Sequence, residues 1–495
     1  MSKIKNIIVK YWFYILVVLI LGVATILRFY NFENRWGLSY DQARDVLVSH
    51  EALRENKLPL IGPFASAGQF VYGPQWYWIL MLLIGIYPSW LLTPWVLQTI
   101  LYVGVVLLMI LIGHEIQGKR FGLLLGLLTA VSTAQIAQST NLTSPSMVGI
   151  LSVIVFYIFI KYLKTNRAIY SFLLGFCVAT SINIHFQAIG LLVLLPVAIF
   201  FGRKSKKRIT LLIIGSIIPF IPLLIFDLTN SFFESKNMLQ YYFHDQYKVS
   251  YEVLGRRWLT YISVFWPKAW AQVIGGYSII GYIEIIALAA FYIYGFLKKI
   301  IPKELYIIAA SFLFMFALIR YTRTPLFDSY LTFLHPFIIT LVGFSVFALL
   351  KRITIVGIII LILIIVGSVH KNIVEIRAAT NHASSRAREW TNLLIKTYPN
   401  QKFSIYDYGY ESTGFSLPLV LYLDSKGKLS DNGYRIGFGS KPKVRIQIHK
   451  EIKGNKAGFI LRDLNSSSSA QLKKDGWAFI NPSQIYLSTV EWYKK

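Results

Sequence analysis

The chain has 495 residues, 55% of them hydrophobic and only 15% charged, with a formal net charge of +27. That composition excludes a soluble globular protein and a disordered one, and apolar runs of about 20 residues mark a polytopic helical membrane protein. A β-barrel would show short alternating segments instead, and much of the positive charge falls in short gaps between apolar runs, where it sets topology, so no nucleic-acid partner is expected.

The first apolar run, 11–27, follows Lys3, Lys5 and Lys10. It has no small-residue cleavage site and reads as a retained first helix. The polar stretch 28–89 comes next. Within it, Gly37-Leu38-Ser39-Tyr40-Asp41-Gln42-Ala43-Arg44-Asp45 places two carboxylates and a guanidinium in one helical turn. Gly62-Pro63 and Tyr72-Gly73-Pro74 follow. The run 72–88 is apolar but short, broken by Pro74 and Pro88 and loaded with Trp76, Tyr77 and Trp78. It reads as interfacial or re-entrant, with its tryptophans as interface anchors.

Further apolar runs cover 90–113, 121–139, 147–163, 168–184, 187–201, 209–226, 277–297, 304–319, 331–350 and 353–369, which makes about eleven transmembrane helices. Basic clusters at Lys3/Lys5/Lys10, Lys119/Arg120, Lys161/Lys164/Arg167, Arg203 to Arg208, Lys298/Lys299/Lys303 and Lys351/Arg352 fall at every second gap. The positive-inside rule places them, and the N-terminus, in the cytoplasm of a plasma membrane. The other gaps, 28–89, 140–146, 185–186, 227–276 and 320–330, are then expected outside, with everything after about 370. Around Arg256, Arg257, Trp258, Trp266, Pro267 and Trp270 a second interfacial segment is expected, Trp258 and Trp270 again anchoring it. The one cysteine, Cys177, permits no disulfide within the chain. No internal repeat is visible, which weighs against a transporter.

The chain is accordingly divided into a transmembrane domain, 1–370, and an extracytoplasmic α/β domain, 371–495. In the latter, 383–396 reads as an amphipathic helix carrying Trp390, Leu393 and Leu394. Phe403–Tyr406, Leu419–Leu423, Val444–Ile448 and Gly458–Leu461 read as strands, with turns at Ser425-Lys426-Gly427 and Asp431-Asn432-Gly433. Residues 370–495 hold 20 Lys and Arg against 10 Asp and Glu. A basic outer domain suits an anionic envelope polymer or the lipid surface.

The outer gaps collect the ionisable residues: Asp41, Arg44, Asp45, His50 and Glu51; His185 with Gln187; Asp227, Glu234, His244, Asp245, Arg256 and Arg257; and Arg320, Arg323, Asp328, Tyr330 and His335. Such residues near membrane depth are costly and mark sites. A carboxylate can take the proton of an attacking hydroxyl, and arginine can hold a phosphate through paired hydrogen bonds. Together they suit transfer of a group from a lipid phosphate to an acceptor hydroxyl. A phosphate leaving group needs charge neutralisation more than protonation, so one carboxylate suffices where a glycosidase needs two. On a helix, Asp41, Arg44 and Asp45 share a face, and either acid could be the base while the other pairs with Arg44. The plainer alternative is a solvated helix turn with a surface ion pair.

Tyr40-Asp41-Gln42-Ala43-Arg44, some thirty residues before Tyr72-Gly73-Pro74-Gln75-Trp76-Tyr77, resembles the glycosyltransferase family 39 type of GT-C enzymes. That family includes protein O-mannosyltransferases and the aminoarabinose transferase of lipid A. The resemblance extends to Asn141-Leu142-Thr143-Ser144-Pro145, His185-Phe186-Gln187, and Tyr330-Leu331 followed by His335-Pro336. It implies inverting transfer of a sugar from a polyprenyl phosphate to an acceptor outside the membrane, with Asp41 as base. The acceptor could be a glycan, a protein or a lipid. The family commonly has Glu at the position of Gln42, an acid near Asn141 to Ser144, and in some members a Lys where Tyr72-Gly73-Pro74 stands. Phosphate binding then falls to arginines such as Arg44, Arg256, Arg257, Arg320 or Arg323. The remaining motif residues, Asp45, Tyr72, Asn141, His185, Tyr330 and His335, are implied substrate contacts. For His185 and His335 the plainer reading is a satisfied helix-end histidine, for Pro145 a helix start, and for Asn141-Leu142-Thr143 a chance match to a glycosylation sequon. No cofactor is assigned; a divalent metal is compatible but not indicated. Two rival functions are a lipid-linked-sugar flippase and a non-catalytic envelope-polymer-binding protein.

Overall fold

The computed structural model describes residues 2–429 apart from 66–67, 203–204, 246–256, 321–327, 398, 401 and 404–412, and beyond them the strands at 449–450, 457–458, 478–485 and 488–494. The helices in chain order are α1 Ser2–Phe29, α2 Tyr40–Arg54, α3 Gln75–Ile86, α4 Thr93–Gln117, α5 Lys119–Val131, α6 Thr133–Thr140, α7 Ser144–Lys164, α8 Ile169–Ile184, α9 Leu194–Phe201, α10 Lys206–Ile217, α11 Ile221–Thr229 and α12 Phe233–Phe243. They continue with α13 Arg257–Thr260, α14 Trp266–Val273, α15 Ser278–Leu297, α16 Lys303–Ile319, α17 His335–Arg352, α18 Thr354–Ala378, α19 His382–Thr397 and α20 Thr413–Ser425. A 3₁₀ turn at Phe186–Val193 joins α8 to α9, and another at Asp328–Leu334 leads into α17.

Seven of the described helical runs are long and apolar enough to cross a membrane: Lys10–Phe29, Thr93–Gln117, Ser144–Lys164, Lys206–Thr229, Ser278–Leu297, Tyr330–Arg352 and the run from Thr354. An eighth, α5 with α6, is bent by 58°. The count of about eleven is therefore not reached on length. The expected spans at 168–184, 187–201 and 304–319 are helical but shorter, at 16, 16 and 17 residues, than the about 20 of a typical crossing. The α3 helix, at 12 residues, reaches only about 18 Å. Apolar side chains such as Leu19, Ile26, Ile283, Ile286 and Leu363 are more than half exposed, as on helices that face lipid.

The bend between α5 and α6 has a local cause. Ser132 leaves helical geometry (φ −60°, ψ 119°), and its Oγ accepts the N–H of Gln135, capping α6. The broken ladder strands the last carbonyls of α5. Buried Arg28 takes two of them, donating to Ala130 O and Thr129 O at 3.2 and 3.3 Å, and Asn372 Nδ2 takes Val131 O at 2.8 Å. Arg35 serves the end of α1 in the same way, donating to Leu27 O, Arg28 O and Tyr30 O. Elsewhere α8 and α10 approach closely at Gly175 and Gly215. A side chain on either would meet the other helix's backbone, the small-residue contact that membrane helices favour.

The chain divides into two compact units. One comprises Met1–Arg35, Pro59–Trp76 and Trp95–Ala379, the other Trp36–Leu58, Tyr77–Pro94 and Thr380–Lys495. In the second, α19 occupies the expected amphipathic stretch and buries Trp390 and Leu394. The expected strand Leu419–Leu423 is instead part of α20, every one of its five residues buried. A short unbroken apolar run carries no period that separates a buried strand from a buried helix. The turn at Ser425–Gly427 forms, with Gly427 at φ +64°. Two antiparallel hairpins are described, His449–Lys450 with Ala457–Gly458 and Ala478–Ile485 with Ser488–Lys494. Most of the other expected strand residues, and the turn at 431–433, lie outside the described residues.

Candidate active site

Ser39 starts α2 with a capping box. Gln42 Oε1 accepts from the Ser39 N–H at 3.0 Å and from its hydroxyl. Residue 42 is thus turned back onto the helix start. Asp41 then falls in the first turn, where the helix dipole favours a carboxylate. Arg44, one turn on, donates to Asp41 Oδ1 at 2.9 Å and, through both Nη2 and Nε, to Asp45 Oδ1 at 2.8 Å. It also lies 5.6 Å above the Tyr40 ring. The two acids are not equivalent: the Asp45 side chain is 4% exposed and that of Asp41 63%. Burial opposes the Arg44 charge most strongly, yet Asp45, Tyr77 and Asp41 together push its pKa well above the ordinary value. Arg44 is a permanent cation, committed chiefly to the buried acid.

The motifs Gly62-Pro63 and Tyr72-Gly73-Pro74 are two arms of one antiparallel ladder. Gly62 N–H donates to Tyr72 O at 2.8 Å, Tyr72 N–H to Pro63 O at 2.9 Å, and Ala65 N–H to Phe70 O at 2.9 Å. The ladder docks on the end of α8, where Gly73 N–H donates to Asn183 O at 2.7 Å. A Cβ on Gly73 would run into the side chain of Asn183, including its Cβ at 2.7 Å. Gly73→Val therefore costs about 1–3 kcal/mol by overpacking, seen as a lower thermal-inactivation midpoint.

This docking brings Tyr72, His185 and Tyr330 together. The Tyr72 and Tyr330 rings lie 4.7 and 5.2 Å from the His185 ring. His185 Nδ1 accepts the Gln187 N–H at 3.4 Å, which leaves the proton on Nε2, 3.2 Å from Tyr72 Oη. Burial pushes the His185 pKa down to about 3, so the ring is neutral. His335 is buried, with Nδ1 2.8 Å from Gln135 Nε2. The Asn141 carbonyl accepts from Gln98 at 2.8 Å, and Thr332 Oγ1 donates to Pro145 O at 2.8 Å, which ties the 141–146 segment to the one before α17.

Arg320 caps the C-terminus of α16, 5% exposed, with its guanidinium 5.5 Å from the Trp258 ring and 5.7 Å from Tyr261. Of the other arginines expected to bind phosphate, Arg256 and Arg323 lie outside the described residues, and of Arg257 only the backbone is described, opening α13. Arg28 and Arg35, absent from the sequence-derived candidates, are held on backbone carbonyls. Two of the four expected interface tryptophans, Trp76 and Trp270, are buried inside the protein instead, because large rings also suit helix packing. Among the described residues no three His, Cys, Asp or Glu side chains converge as a metal site would require.

One of the outer ionisable residues, given no role by the sequence, is a buried acid. Glu234 of α12 accepts the Val71 N–H at 2.9 Å, pinning the ladder beside Tyr72. Burial, opposed by that hydrogen bond and aided by Asp227, pushes its pKa up to about 7. Unfolded, it loses its proton near 4.5. Between those values the unfolded chain binds fewer protons, so stability falls as pH rises from about 4.5 to about 7, by about 3 kcal/mol in all, and levels off above. Glu234→Gln keeps an acceptor for Val71 and removes this slope, as thermal inactivation measured from pH 5 to 8 will register.

No protein-family model matches the chain, and no curated protein matches it in sequence. Solved structures do. ArnT from Cupriavidus metallidurans in the apo state is 12% identical with a TM-score of 0.55, covering 82% of this chain and 84% of that one. The same protein bound to undecaprenyl phosphate matches at 12% identity and a TM-score of 0.54 over the same shares. The Archaeoglobus fulgidus oligosaccharyltransferase is 14% identical over 79% of this chain, which spans 59% of that protein's length, with a TM-score of 0.49. The likeness to ArnT shows the architecture: the chain shares the fold of that protein.

Proposed function

We propose that the protein is a membrane glycosyltransferase that moves a sugar from a polyprenyl phosphate to an acceptor hydroxyl outside the plasma membrane, with inversion and with Asp41 as general base. The observation that carries this reading is the inequality of the two acids on α2. Arg44 engages both, but buried Asp45 neutralises it chiefly, and Asp41 keeps most of its carboxylate exposed at a helix N-terminus. A purely structural ion pair needs no second acid held exposed beside it. The pairing with Arg44 also orients the Asp41 carboxylate.

The donor's phosphate calls for a fixed cation. Arg320, desolvated among aromatic rings and always charged, suits a lipid phosphate. That a protein of the same fold was solved with undecaprenyl phosphate bound supports a lipid-linked donor. The alternation of basic gaps along the sequence supports an outward-facing reaction. The test is to incubate the purified chain in sealed proteoliposomes with a panel of polyprenyl-phosphate sugars and candidate acceptors. Release of polyprenyl phosphate together with an acceptor glycoside of opposite anomeric configuration is expected. Passage of intact donor across the bilayer without its cleavage would instead identify a flippase.

A further inference from the structure

The helix that carries Asp41 is tied at both ends to a segment hundreds of residues later in the chain. Just before α2, the Trp36 carbonyl accepts from Asn381 Nδ2 at 2.6 Å, across 345 residues of sequence. Asn381 Oδ1 in turn accepts the Ser384 N–H at 3.3 Å, capping α19. At the other end of α2, Asp424 of α20 stands between His50 and Arg54. Its Oδ2 lies 2.7 Å from His50 Nδ1, and its Oδ1 accepts from Arg54 Nη1 at 2.8 Å. The Asp424 side chain is only 3% exposed, so each carboxylate oxygen depends on its partner from α2. Ser384 Oγ and Tyr422 Oη, 2.7 Å apart, join α19 to α20, which makes the two ties one frame.

Burial alone would favour the neutral acid. The His50 hydrogen bond and the Arg54 charge outweigh it and hold the Asp424 pKa below the ordinary carboxylate value. An exposed ion pair would fix little. A buried carboxylate with two donors one helical turn apart fixes both the pitch and the rotation of the helix that supplies them.

We propose that Asp424 is a positioning residue for sugar transfer: through His50 and Arg54 it sets the orientation of α2, and so the placement of Asp41. This rests on Asp41 being the base. It gives the residues from 380 onward a part in the chemistry beyond acceptor binding. A misplacement of about 1 Å at a reacting group costs about 100-fold in rate, so a clasp distant in sequence can govern turnover without touching substrate.

The test compares full-length wild type, Asp424→Asn, Asp424→Glu and Asp41→Asn in nanodiscs, by steady-state transfer from a labelled polyprenyl-phosphate sugar and by hydrogen exchange of peptides covering 40–54. Asp424→Asn is expected to speed exchange in α2 and to lower kcat about 10- to 100-fold, with the donor KM changed less than about two-fold and partial rescue by Asp424→Glu. If Asp424→Asn is not recovered folded, His50→Gln, which loosens one prong, carries the same expectation at smaller amplitude. Unchanged exchange overturns the clasp. Faster exchange with unchanged kcat overturns the positioning role. Wild-type turnover in Asp41→Asn overturns the base assignment instead, and the exchange result then stands alone as a statement about the fold.

Discussion

Asp41→Asn abolishes transfer and leaves the protein folded in the membrane. The amide keeps the size of the side chain and can still accept from Arg44, so the helix start is undisturbed. What it loses is the capacity to take a proton, and a positioned general base contributes about 10²- to 10⁴-fold. The side chain is 63% exposed, so no buried network collapses with the change. Asp45→Asn is the contrasting control. That carboxylate is 4% exposed and is the chief neutraliser of a buried guanidinium. Removing its charge lowers stability first and activity as a consequence, because Arg44 is left burying a charge with a weaker partner. Turnover and a thermal-inactivation midpoint, measured side by side for the two variants, separate the roles: the first variant loses only rate, the second loses thermal stability.

The second large effect is expected at Arg320. Arg320→Met keeps an unbranched stem and removes the cation that lies against the Trp258 and Tyr261 rings. If this guanidinium binds the donor phosphate, truncating it forfeits about 2–5 kcal/mol, which raises the donor KM about 30- to 5,000-fold. Arg320→Lys falls between, because an ammonium restores charge without the planar fork that meets two phosphate oxygens at once. Competition by free polyprenyl phosphate weakens in parallel with KM. A fall in kcat at unchanged donor KM would move the phosphate site elsewhere in the arginine set and leave Arg320 as the cap of α16.

Much of this molecule is written in its sequence, where local rules suffice. The spacing of Asp41, Arg44 and Asp45 places them on one face of a helix, as α2 bears out. The amphipathic run at 383–396 becomes α19 because its apolar positions carry a helical period. The period fails at Leu419–Leu423, where all residues are apolar, and the expected strand is a helix. It fails again at 121–139, which reads as one span. A single serine, Ser132, breaks that run, and only the three-dimensional arrangement shows Arg28 and Asn372 arriving to satisfy the freed carbonyls. Trp76 and Trp270 have the composition of interface anchors and the surroundings of a core. The candidate site shows the same division. Tyr72, His185 and Tyr330 are legible as motifs, but their stacking depends on Gly73 meeting Asn183. Asp424 and Glu234 carry no local signature, since the significance of each comes from a partner far away in sequence.

The central claim is that a sugar leaves a polyprenyl phosphate on this protein and that Asp41 makes the acceptor nucleophilic. Its most direct test is to supply sugar-labelled polyprenyl-phosphate donors to membranes containing either wild type or Asp41→Asn and to follow the label. Label is expected to pass from lipid to an acceptor on the outer face with wild type and to remain on the lipid with Asp41→Asn. Equal labelling of the acceptor by the two proteins would contradict the account.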